Sequence, residues 1–73
     1  MIALNDIFLG KVILNPVHIN FMRKSYSRKR QVRDAQTIVI YCLPDQHATK
    51  YYVKESIAEI ITNPNTTENG NTP

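Results

Sequence analysis

Thr37 to Leu43 reads Thr-Ile-Val-Ile-Tyr-Cys-Leu, a run with no charge and no turn former. Strand alternation puts Ile38, Ile40 and Cys42 on one face and Val39, Tyr41 and Leu43 on the other. With both faces apolar, this strand has to lie inside a sheet and be covered on both sides. That is a severe demand on 73 residues. From Asn63 the chain reads Asn-Pro-Asn-Thr-Thr-Glu-Asn-Gly-Asn-Thr-Pro and offers nothing apolar to bury. Residues 63–73 are therefore expected to form a disordered polar tail, and residues 1–62 one small β-rich domain. Chains near that length bury only about 60% of the surface their unfolded form exposes.

Domains so small are usually supported by disulfides, metals or self-association. Cys42 is the lone cysteine, inside the apolar run, and reads as a small buried hydrophobe. His18 and His47 lie far apart, with no CxxC pair to complete a metal site, so neither metal nor cofactor is expected. Self-association is the support left. A homo-oligomer is expected, with a partner subunit covering one face of the central strand.

The flanking segments suggest a small antiparallel sheet of four or five strands closed by one short C-terminal helix, a mainly β (α+β) fold. Ile2 to Phe8 is short and apolar, Leu9-Gly10 signals a turn, and Val12-Ile13-Leu14 is β-branched and compact. Asn15-Pro16 leaves two readings open across residues 16–34. Asn as N-cap and Pro at the first helical position would start a helix aligning Ile19, Met22 and Tyr26. The alternation of Val17, Ile19 and Phe21 instead favours a strand beginning at Val17. Pro44 to His47 reads as a turn and Ala48 to Val53 as a strand. From Lys54 to Ile61 the period changes: Ile57, Ile60 and Ile61 share one helical face, with Glu55 near the positive end of the macrodipole.

Charge is distributed unevenly along this plan. Arg23, Lys24, Arg28, Lys29, Arg30 and Arg33 hold six of the nine basic residues, and no acid interrupts them until Asp34. The segment carries +6, whereas Lys11, Lys50 and Lys54 set against all six acids leave −3 elsewhere. Such an asymmetry makes one region attractive to phosphates while the remainder stays neutral or repels them. Residues 23–35 read as a basic arm between strands. Four of its six cations are arginine, whose planar fork holds phosphate oxygens in a bidentate way. Tyr26, between Ser25 and Ser27, adds a surface on which a base can stack. The bland reading is a solvated loop that keeps an oligomer soluble.

Catalysis finds no support. There is no Ser or Cys nucleophile with an evident base, no paired carboxylates on one element, and no Gly-rich phosphate loop, since Gly10 and Gly70 are the only glycines. His18 reads as a surface or partly buried structural residue and His47 as solvated. Met1 to Leu9 lacks a positive n-region, and no apolar run approaches the roughly 18–20 residues that span a bilayer. With a free cysteine as well, the plain expectation is a cytoplasmic protein without a membrane partner.

Met1-Ile2, Leu4, Gly10, Leu14-Asn15-Pro16 and Ile19 resemble the opening of the small FlbD-type flagellar proteins, the swarming motility SwrD family. Thr37 to Ile40, Tyr51 to Ser56 and Ile57 to Ile61 resemble that family's Thr-hydrophobic strand, its Val-x-Glu-Ser segment and its closing helix. The likeness spans most of residues 1–62 and implies a small sheet with a capping helix and a motility role without known catalysis. The family has only a short link where this chain has its basic segment, and a Gly turn where it has Pro44 to Thr49. Compactness, polar tail and added arm also suit a small bacteriophage or mobile-element protein.

Together these features point to a non-enzymatic binding or regulatory protein. It would capture nucleic acid or a phosphorylated nucleotide through Arg23, Lys24, Tyr26, Arg28, Lys29, Arg30 and Arg33. The alternative is a protein-binding adaptor or inhibitor, in motility or against a host complex. It would use the strand Ile38–Leu43, or would meet an acidic protein surface with the same arm.

Overall fold

The computed structural model describes residues 1–26 and 29–64. Ser27, Arg28 and positions 65–73 of the expected tail lie outside the described residues. Ile2–Asp6 forms β1, burying Ile2, Leu4 and Asp6 while Ala3 and Asn5 face solvent. It turns through residues 7–9 into β2, Gly10–Leu14, with Ile2 opposite Leu14 and Asp6 opposite Gly10. Gly10 takes φ 80°, a left-handed conformation open to glycine at little cost.

At Asn15-Pro16 the two readings are realised one after the other. The Asn15 side chain accepts the Val17 N–H at 3.1 Å, Pro16 starts a helical turn, and Pro16–His18 completes one turn of 3₁₀ helix. Ile19 returns to extended backbone, and β3 runs from Ile19 to Lys24. The strand thus begins two residues later than the alternation suggests. Val17 sits on the turn with 71% of its surface exposed.

β4 (Thr37–Tyr41), β5 (Thr49–Val53) and the helix α1 (Ile57–Ile61) complete the domain. The strand order is β2-β1-β5-β4-β3, and every neighbouring pair is antiparallel. β2 and β3 are consecutive in the chain yet occupy opposite edges, joined by residues 15–18 alone. Five strands laid flat would set those edges about 19 Å apart. A link holding a 3₁₀ turn, which advances only about 2 Å per residue, cannot reach so far. The sheet therefore curls. Tyr41 Oη accepts the Asn15 N–H at 2.9 Å, drawing the link against β4.

The concave side holds one core of Ile2, Leu4, Leu14, Val39, Tyr41, Val53 and Ile60. Ile60 is the buried residue of α1 and seals it. The helix is shorter than the Lys54–Ile61 segment expected. Ser56 caps it, accepting the Glu59 N–H at 3.1 Å, while the Glu59 carboxylate accepts the Ser56 N–H at 2.9 Å. Glu55 lies outside the helix. Its carboxylate accepts from Asn5 N–H at 3.0 Å and from Asn5 Nδ2 at 2.7 Å, tying the end of β5 to β1.

All five residues of β4 are buried, as a central strand requires. The cover that a partner subunit was expected to give one face of this strand is found within the chain itself. Ile38 stands between Arg23 and Tyr52 across the sheet, and Ile40 between Phe21 and Lys50. With these neighbours in the same chain, Ile38 keeps 6% and Ile40 8% of its surface. Within the stretch Ile38–Leu43 considered as a surface for a protein partner, Ile38 to Tyr41 are buried, Cys42 is half-buried and Leu43 is exposed. Cys42 falls past the end of β4 and is half-buried, its thiol directed at Gln46 O 3.4 Å away, so it is not the core hydrophobe expected.

Candidate functional site

The basic segment begins on β3, where alternation separates its first two cations. Arg23 lies opposite Ile38 and Lys24 opposite Thr37, so they project from opposite faces of the sheet. Ser25 N–H donates to Gln36 O at 2.9 Å and extends the ladder by one step. Beyond that the described residues fold back instead of continuing as an extended hairpin. Val32 N–H donates to Lys29 O at 3.0 Å, and Ala35 N–H donates to Val32 O at 3.1 Å, giving two successive turns. Ala35 is buried and Val32 half-buried, so small apolar residues anchor the loop while Lys29, Arg30 and Arg33 stay exposed.

Among the described residues, Arg23, Arg30 and Arg33 form no ion pair. Their guanidinium forks are available to an anion. At the root of the arm, Lys24 Nζ lies 5.6 Å from the centroid of the Tyr26 ring, within cation–π range. Tyr26 is 80% exposed. Lys24 also lines an open pocket of about 230 Å³ with Gln36, Ser56 and Ile57. Gln36 Nε2 is engaged by Lys54 O at 2.9 Å, and the Ser56 hydroxyl serves the helix cap. Lys24 therefore supplies the charge there. The Ser25 hydroxyl oxygen beside it is buried without a hydrogen-bond partner.

The structure thus brings Lys24 and Tyr26 together, sets Lys29, Arg30 and Arg33 on one folded loop, and turns Arg23 to the other face. Arg28 lies outside the described residues. The fold also gathers Lys11, Lys50 and Lys54, cations outside the basic segment. Cross-strand register puts Arg23, Ile38 and Tyr52 in one row of the outer, convex face, and Phe21, Ile40 and Lys50 in the next. Lys54, one residue past β5, continues the alternation of Lys50 and Tyr52. Lys11 faces outward opposite the exposed Asn5. The signal was present in Lys50-Tyr51-Tyr52-Val53-Lys54, whose period of two puts cation, ring and cation on one side.

His18 is half-buried and meets Tyr41 edge-on at 6.0 Å, while His47 is exposed. No group of three or more His, Cys, Asp or Glu converges among the described residues, and no helix there is long and apolar enough to cross a membrane. The chain matches no protein-family model, no curated protein and no solved structure.

Proposed function

We propose that this protein is a non-enzymatic binding protein that captures a phosphate-bearing ligand, a nucleic acid or nucleotide, on its basic arm. Arg23, Lys24, Arg28, Lys29, Arg30 and Arg33 supply the charge, and Tyr26 the stacking face. The observation that carries this reading is the pairing at the arm's root. A tyrosine ring left 80% exposed stands beside a lysine ammonium, so one ligand can meet a flat apolar surface and a cation together. The forks of Arg30 and Arg33, which form no ion pair among the described residues, extend the positive surface outward.

The reading includes self-association, because a second copy would duplicate the arm and raise its effective affinity. β2 and β3 end the sheet and offer the backbone edges for such contact. Titration of labelled DNA, RNA and nucleotides, with the protein's mass measured alongside, tests both parts. Changing Arg28, Lys29 and Arg30 together to Ala is expected to leave the fold intact and abolish binding. Unchanged binding by that variant, or no binding by the wild type, ends the anion-capture reading; a monomer at micromolar concentration ends the oligomer reading.

A further inference from the structure

We infer that the convex face of the sheet is a stacking platform for single-stranded nucleic acid, continuous with the arm through Arg23. The inference rests on the reading of the arm as a phosphate-binding element and assigns it one ligand class. Phe21 is 52% and Phe8 59% exposed, large apolar surface for a domain this small. Phe8 meets the half-buried Tyr52 edge-on at 5.9 Å, so the turn between β1 and β2 holds a second ring over the face. Ile38 and Ile40 stand in the same cross-strand rows as Tyr52 and Phe21 and are already covered within the chain. Near β3 and β5 the accessible apolar surface is aromatic, while Ile13 and Ala3 lie farther off on β2 and β1.

The charge on this face decides the occupant. Arg23, Lys50 and Lys54 border the rings, with Lys11 farther along. None of the strand residues that face outward is acidic. Glu55 approaches this side, but its carboxylate is held by the Asn5 hydrogen bonds. On β5 Lys50 and Tyr52 stand roughly 7 Å apart, and Lys54 follows in the bend after the strand, giving the order cation, ring, cation. A single strand presents the matching alternation of phosphate and flat base. A duplex hides its base faces within its own stack, and an acidic peptide brings carboxylates without a flat ring for each aromatic.

Fluorescence anisotropy tests this with a labelled fifteen-nucleotide deoxythymidine strand, a duplex of equal length and a polyglutamate peptide at one salt concentration. The single strand is expected to bind at least about tenfold more tightly than either competitor. Phe21→Leu and Phe8→Leu keep apolar cover on the sheet but remove the ring, and each is expected to weaken binding about fivefold or more. Lys50→Gln is expected to lower the salt slope by about 0.7. Circular dichroism verifies that each variant is folded. Equal binding of duplex or polyglutamate overturns the inference. So does loss of binding in an Arg30→Ala/Arg33→Ala variant while both ring variants bind like wild type, a result that leaves the arm reading standing. No binding of any polyanion removes both.

Discussion

The Asp6 carboxylate, 4% exposed, accepts the backbone N–H of Tyr52 at 3.0 Å through Oδ2. Its Oδ1 accepts the N–H groups of Phe8 and Leu9 at 2.8 and 2.9 Å. One side chain thereby closes the β1–β2 turn and replaces a missing rung between β1 and β5. Asp6→Ala strips three donors of their acceptor and is expected to cost about 2–3 kcal/mol, read from urea unfolding. Asp6→Asn keeps one acceptor oxygen and is expected to lose less. Equal losses in the two variants would contradict this account.

Ile60 is 0% exposed and fastens α1 to the core. Ile60→Ala is expected to cost about 2–5 kcal/mol and Ile60→Val about 1 kcal/mol. Small domains hold only about 5–15 kcal/mol in total, so the alanine variant should lie near the threshold of folding at 37 °C. Thermal melts of both variants check the ranking.

The helix cap makes stability sensitive to acid. Hydrogen bonds from the Ser56 backbone and side chain hold the Glu59 carboxyl below its ordinary value of 4.5. A lowered folded-state pKa adds stability above the unfolded-state value, and that stability is lost as pH falls through the folded-state value. The melting difference between wild type and Glu59→Gln should therefore be present at neutral pH and vanish in strong acid. Ser56→Ala removes the cap itself and is expected to cost about 1 kcal/mol.

Binding to the arm should weaken with salt, because each phosphate neutralised releases a condensed counterion. For a single strand the slope of log K against log salt is about −0.7 per phosphate contacted. Arg30→Ala and Arg33→Ala should each reduce its magnitude by about that amount. A variant that lowers affinity without changing the slope would show that its arginine does not touch phosphate.

Elements encoded by local pattern were legible from sequence. Thr37–Tyr41 emerges as an interior strand because both of its faces are apolar, and Gly10 as a turn because positive φ suits it. The single 3₁₀ turn at Pro16–His18 was obscured because Asn-Pro opens a helix while the following alternation calls for a strand. Glu55 does stand just before the Ser56 cap, but its bond to Asn5 was not legible because that partner is fifty positions away. The cap was readable in Ser56-Ile57-Ala58-Glu59, a Ser-x-x-Glu signature. At the arm, composition located the charge, but only register shows Arg23 leaving Lys24 and joining Tyr52.

The seam between β1 and β5 has a kinetic consequence. The β1–β2 hairpin and the β3–β4–β5 meander each pair strands that follow one another in the chain. The Asp6–Val53 register and its flanking backbone bonds, supported by the Asp6 and Glu55 side chains, join them by bringing together residues near opposite ends of the domain. Local hairpins close first and the distant contact last, because the longer loop must surrender more entropy. Opening should run in reverse order. In hydrogen exchange, the amides of Ile7 and Lys54 are then expected to lose protection before that of Val39.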